Sequence, residues 1–211
     1  MKDGTPDDLR PELRGKVLPL RRSGSGGGAS ALSDEALVAA CGVGESAALG
    51  MLFDRHHEAI YRFLSRLVRA TAHEADDLVQ NTFLEVWRSA ARFGGRGAVK
   101  SWIFGVAANV ARHHVRGEVR RRVAQASVAE VDGPAPRMPD EALMRAQLVG
   151  RVEVALTSLS HDLRVAFVMC DLEDISGVEA ARVLGVREGT LWRRLHDARK
   201  ALRVALGGGV R

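Results

Sequence analysis

Apolar residues recur at three- and four-residue steps through most of the chain, and nowhere do they alternate as they would on a strand. Leu49, Leu52, Phe53, His56, Ile60, Phe63, Leu64 and Leu67 form one stripe along a long helix. Ala75, Leu78, Val79, Thr82, Phe83 and Val86 form a second, and Val99, Trp102, Ile103, Val106 and Val110 a third. Three such stripes can bury one another as a small bundle. Farther on, Leu148, Val152, Ala155, Leu156 and Leu159 read as one helix, and Leu163, Ala166, Phe167 and Cys170 as another. The pattern predicts an all-α fold of two small helical domains.

Two stretches break it. Residues 1–31 contain Pro6, Pro11, Pro19 and the run Ser23-Gly24-Ser25-Gly26-Gly27-Gly28, too little apolar surface to offset the entropy of ordering. A disordered tail is expected there. From Val123 to Pro139, Gly133, Pro134, Pro136 and Pro139 interrupt helical spacing and remove backbone donors. A flexible linker at 123–139 would then join a domain at 32–122 to one at 140–206, where Gly207-Gly208-Gly209 ends the last helix.

Within the second domain, Ser176-Gly177-Val178-Glu179 has the form of a capping box, with Glu179 expected to reach back to the cap amide. The helix it opens runs through Ala180, Ala181 and Leu184 to Gly185, a residue suited to the left-handed turn. Val186 would seal the corner. Beyond it Leu191, Leu195, Ala198 and Leu202 face inward, and Trp192, Arg193, His196, Arg199 and Lys200 can face out. Small residue, turn glycine and apolar residue at this spacing let two helices cross closely in a helix-turn-helix, whose second helix can enter the major groove. A plain helical hairpin with a solvated charge run satisfies the same spacing, but the agreement of cap, small residue, turn glycine and basic second helix favours the DNA reader.

Charge distribution sharpens this. The formal net charge is +5, a mild surplus that suits an anionic partner without requiring one. From Arg96 to Arg122, seven Lys/Arg stand against one acid, and from Arg187 to Arg203 six stand against two. Between Asp140 and Glu179 eight acids outnumber three arginines. On the helix from Asp76 to Trp87, the face made of Asp77, Asn81, Leu84 and Arg88 suits docking on another protein, although an ordinary amphipathic helix would look the same. Arg92-Phe93-Gly94-Gly95-Arg96-Gly97 is a basic loop, followed by Trp102, Phe104 and Asn109 on a helix ending in Arg116 to Arg122. Aromatic and apolar surface interleaved with cations and an amide can hold an unstacked base; the alternative makes Phe93 and Trp102 core residues, which is the expectation for Trp102.

These segments, in this order, resemble the extracytoplasmic-function branch of the bacterial RNA polymerase sigma factors. The resemblance rests on Asp77-Leu78-Val79-Gln80 with Thr82-Phe83 and Trp87; on Trp102-Ile103-Phe104 with Ala107 and Asn109; and on Leu184-Gly185-Val186-Arg187-Glu188-Gly189-Thr190 with Leu195-His196 and Ala198-Arg199. It implies a region 2-like first domain, whose Asp76, Asp77, Leu78, Gln80, Asn81, Leu84 and Glu85 would bind the β′ clamp helices of core RNA polymerase. Phe93, Arg96, Lys100, Val106 and Asn109 would capture a flipped base of the promoter −10 element, with Arg112, Arg116 and Arg120 on the backbone nearby and His113 also assigned to the −10 contact. A region 4-like second domain would meet the β flap. Its Arg182, Arg187, Glu188, Thr190, Trp192, Arg193, Arg194, His196, Arg199 and Lys200 would read the −35 element. An anti-sigma factor is a further expected partner. Asn81 stands where glutamate is usual, His113 where aspartate is common, Trp192 where polar or basic residues are usual, and Asp197 at a site often basic, so promoter sequence cannot be carried over from relatives.

A conventional DNA-binding regulator would explain the helix-turn-helix but leave the acidic helix and aromatic loop unused, and an interaction module would explain only the acidic surfaces. No catalytic constellation, metal cluster or cofactor motif can be assembled. Cys41 and Cys170 lie in no CxxC or His-rich cluster and are expected to be core thiols. No apolar segment suits a signal peptide or membrane span, so no membrane insertion and a cytoplasmic setting are expected.

Overall fold

A computed structural model of the chain describes residues 32–68, 71–95, 97–124, 150–152 and 154–207, and among them no strand occurs. The first module contains α1 (Asp34–Gly42), α2 (Ser46–Leu67), α3 (Ala72–Ser89), a 3-10 turn at Ala90–Arg92, and α4 (Val99–Ala124). The second contains α5, helical at 150–152 and 154–158, then α6 (His161–Phe167) continuing into a π turn (Val168–Leu172), α7 (Gly177–Val183) and α8 (Glu188–Gly207). The expected tail lies outside the described residues, as do residues 125–139 of the expected linker. Residues 123 and 124 still belong to α4.

Helix α1 escapes the periodicity argument because Leu37-Val38-Ala39-Ala40-Cys41 is a short continuous apolar run. Ser33 starts it by accepting from the Ala36 amide at 3.2 Å, as N-cap serines do. Leu37, Val38 and Cys41 then enter the core, where burial pushes the Cys41 thiol up. Cys170 is only half-buried. Thr71 and Glu74 form a complete capping box at α3: the Glu74 amide donates to Thr71 Oγ1 at 3.3 Å, and the Thr71 amide donates to Glu74 Oε2 at 2.8 Å. The Thr71 backbone N–H, followed by its hydroxyl, holds the Glu74 carboxyl below its ordinary range.

The first module closes around Phe63 and Phe104, both fully buried and packed edge to face with centroids 4.8 Å apart, a favoured aromatic geometry. Ile60, Leu64, Leu67, Val79, Phe83, Val86 and Ile103 are buried in the same cluster. The buried face of α4 is broader than its expected stripe: Val99, Ile103, Phe104, Ala107, Ala108 and Ala111 are buried, while Trp102, Val106 and Val110 lie at its margin.

In the second module the π turn, with its i→i+5 bonding, shifts the helical register. Val165, Ala166, Val168 and Met169 are buried, while Leu163, Phe167 and Cys170 pack only partly. Of the expected stripe, Ala166 alone is fully inside; Leu163 and Phe167 lie at its margin ahead of the wider turn, which displaces only Cys170. The helix-turn-helix follows expectation more closely. Gly185 has φ +66°, the Val186 amide donates to the Ala181 carbonyl at 2.9 Å, and Leu191, Leu195, Ala198 and Leu202 are all buried.

The two modules share one continuous apolar cluster. Gly105 of α4 is needed at their junction: a Cβ there would lie 2.7 Å from Val183 Cβ of α7. Phe63→Ala is expected to cost about 3–5 kcal/mol in urea-induced unfolding, since it leaves a large cavity in a rigid core. Val204→Ala, at a position 70% exposed, should stay within about 0.5 kcal/mol.

Candidate nucleic-acid and polymerase interfaces

The outward face of α8 forms because the four buried positions spend one side of the helix and leave the rest to solvent. Arg182, Arg187, Glu188, Thr190, Trp192, Arg193, His196, Arg199 and Lys200 are exposed. Three of the arginines are engaged by carboxylates of their own module, Arg182 by Glu179 at 3.5 Å. Arg199 donates through Nε and Nη2 to Asp171 at 2.8 and 2.5 Å, and these bonds raise its pKa further. Arg194 is half-buried and donates to Asp162 at 2.5 Å. That corrects the outward placement of Arg194: it clamps α8 to α6 and so orients the recognition helix.

On α3, Asp76, Asp77, Gln80, Asn81 and Leu84 are exposed, and half-buried Glu85 pairs with Arg88 at 2.5 Å. Leu78 departs from its expected docking role. It is only 5% exposed and belongs to the core, so it supports this face from beneath.

Between α3 and α4 runs an open groove of about 710 Å³, lined among others by Asn81, Glu85, Trp102, Val106, Asn109 and His113. Trp102 lines it and meets Phe93 at a tilt, centroids 4.8 Å apart, and both are half-buried. Trp102 is partly core and partly wall. Arg112 is half-buried; its Nη1 donates to Asn109 Oδ1 at 3.4 Å and its Nη2 lies 4.0 Å from Asp162, so it braces the Asn109 amide. Arg116 and Arg120 are exposed farther along α4. Arg96 lies outside the described residues. Lys100 does not stand free. Its ammonium donates to the Glu173 carbonyl at 2.9 Å and sits 5.6 Å from the Phe104 ring centroid, within cation–π range.

The face of α4 turned away from that groove meets the second module. Glu179 does not close the capping box assigned to it. The Ser176 hydroxyl accepts from the Glu179 amide at 3.3 Å, but the Glu179 carboxylate crosses to the other module. There it accepts from the Ala98 amide at 3.1 Å and from the buried Ser101 hydroxyl at 2.8 Å. Those bonds, the Ala98 amide first, hold the Glu179 carboxyl below its ordinary range. An unpaired helix N-terminus and a buried hydroxyl are stronger claims on a carboxylate than an already exposed cap amide. Nearby, Arg66 pairs with the buried Glu173 at 2.8 Å, and Arg164 donates to the Leu67 carbonyl at 2.6 Å. Ser101, Glu173, Asp162 and Asp171 carried no sequence signal as a group, since their partners lie on other helices.

With these surfaces defined, the chain can be compared with known proteins. A family model for sigma-70 region 2 matches residues 52–121, and one for sigma-70 region 4 matches residues 150–202. The ECF RNA polymerase sigma factor SigM of Mycobacterium tuberculosis is 33% identical over 181 residues, covering 86% of this chain and 88% of that protein. The chain belongs to the extracytoplasmic-function sigma factors. It is therefore a transcription initiation factor and not an enzyme. SigE of Mycolicibacterium smegmatis is 32% identical over 154 residues, which span 72% of this chain and 59% of that protein. In fold, the chain resembles the structure described as CnrH in complex with the cytosolic domain of CnrY, with TM-score 0.62, 24% identity and coverage of 84% of this chain and 99% of that one. Among the described residues no helix is long and apolar enough to cross a membrane.

One titration follows from the junction. His161, in a cleft with Arg112, Arg116 and Asp162, has both ring nitrogens buried, and the Ala108 backbone favours its protonated form only weakly. Burial first, then the charge of Arg112, lowers its pKa from 6.5 to about 4. The folded chain thus prefers the neutral ring. Its contribution to stability is complete above the unfolded pKa and is lost as pH falls from 6.5 toward 4, because the unfolded chain takes up the proton first. Urea titrations should show stability falling between pH 7 and pH 5, and His161→Gln should flatten the slope in that window. An unchanged slope would contradict the assignment.

Proposed function

We propose that the acidic face of α3, with Asp76, Asp77, Gln80, Asn81, Leu84 and Glu85, docks on the β′ clamp helices of core RNA polymerase. In this reading the groove beside it receives a base flipped from the −10 element. Val106 and Trp102, with Phe93 packed against the indole, offer it apolar surface, Asn109 offers an amide that both donates and accepts, and His113 stands alongside. Arg116 and Arg120 follow the backbone, while α8 enters the major groove of the −35 element. No covalent step is involved. Strand opening is driven by preferential binding of the unstacked base, whose extraction costs a few kcal/mol that the groove and loop must recover.

The observation that carries this reading is the single groove lined by Val106, Asn109 and His113 on one side and by Asn81 and Glu85 of the acidic helix on the other. A groove shared in this way couples polymerase docking to base capture. By the same reading residues 32–122 and 140–206 are two binding domains that pack on one another in the free chain, with 1–31 a tail and the segment after Ala124 the connection between them. The factor works in the cytoplasm, meets the β flap through its second domain, and is held inactive by an anti-sigma factor.

Changing Asp77 and Gln80 together to alanine is expected to weaken binding to core polymerase about tenfold, as loss of two exposed polar contacts to a charged partner would, with the unfolding curve unchanged. Undiminished affinity in a fluorescence titration would contradict the docking face. Asn109→Ala should slow open-complex formation while leaving affinity for duplex −35 DNA as it was. Equal losses in both would remove the base-capture role.

A further inference from the structure

Near its N-terminal end, the outward face of α8 presents one large apolar side chain among charged and polar ones. Trp192 is 50% exposed, and its neighbours on that face are Glu188, Arg193 and His196. The indole is seated on α7. A Cβ added at Gly177 would lie 2.6 Å from Trp192 Cζ2 and 2.8 Å from Cη2, so the ring occupies the place any other residue at 177 would need. Gly177 itself is buried and is the first residue of α7, fixed by the Ser176 cap. Buried Leu191 and Leu195 lock α8 at its other side. Half of the indole is thus held by the scaffold, and half is offered to whatever the helix face meets. Little rotamer entropy remains to be lost on binding.

In the major groove, the apolar group that base edges display is the 5-methyl of thymine. We propose that Trp192, seated on Gly177, reads the 5-methyl group of a thymine in the −35 element, with Gly177 as the positioning residue that sets the angle of the ring. The inference rests on the assignment of α8 to the −35 element.

The test begins with full-length protein and a pool of randomised duplexes, from which a preferred sequence is enriched. Each thymine of that sequence is then replaced in turn by deoxyuridine, which removes the methyl group alone. At one position wild-type affinity should fall about fourfold, the effect of a single buried methyl. Trp192→Ala should bind the thymine and uracil duplexes equally. Gly177→Ala, which favours the helix locally, should melt within a few degrees of wild type and lose the discrimination. A wild-type protein indifferent to every such replacement, or Trp192→Ala still discriminating, overturns the proposal. So does a response to 7-deazapurine substitution without one to methyl removal, which would make the indole N–H the reader. A Gly177→Ala protein that keeps the difference overturns the positioning role. Failure to enrich any duplex would overturn the −35 assignment itself, and this inference with it.

Discussion

The close packing of α4 on several neighbours at once constrains the rest of the molecule. Its buried residues include Ala107, Ala108 and Ala111 at full burial, and Gly105 against Val183, small enough for helices to approach on more than one side. Large side chains at these places would force α7 away and split the shared core, because interiors packed to crystal density do not absorb extra volume. Phe104 supplies bulk in one direction, toward Phe63. The remaining face, with Val106, Asn109 and His113, stays open beside α3. One helix thus serves as core, as junction and as wall of the groove, and the residue at each step of its 3.6-residue period is chosen accordingly.

Charge is divided with similar economy. Carboxylates of the second module take up cations and donors from other elements: Asp162 binds Arg194, Asp171 binds Arg199, and Glu179 binds the start of α4. Each is a contact between elements far apart in sequence. Exposed pairs of this sort add little stability, so their effect is chiefly to orient α8 and α4. The cations left outward, Arg187 just before α8, Arg193 and Lys200 on it, and Arg116 and Arg120 on α4, lie in the two basic zones that the sequence displays.

Much of this was legible without a structure. The α2 and α3 stripes and the four inward positions of α8 are read correctly because each helix buries one regular face, and a regular face is what a 3.6-residue period records. Gly185 was legible because its left-handed turn leaves few other choices of residue. What escaped had a physical reason in each case. Helix α1 is too short and too uniformly apolar to show a period. The π turn at Val168–Leu172 breaks the count that extrapolation relies on. Leu78 was placed on the docking face although its stripe position buries it. Glu179 matched a local motif, but a helix start and a buried serine 81 and 78 residues away outcompete the cap amide, and no local pattern carries that information. The site was read by resemblance more than by physics: the groove depends on how α3 and α4 pack, which periodicity alone does not give.

The central claim is that one chain joins polymerase docking, −10 capture and −35 reading into promoter-directed initiation. Run-off transcription with purified core polymerase and this protein, followed by mapping of start sites, tests it most directly. The account predicts transcripts that begin at a fixed distance downstream of a shared pair of sequence elements and that core polymerase alone does not produce. Transcription indistinguishable from that of core polymerase alone, on templates that the protein nevertheless binds, would contradict it.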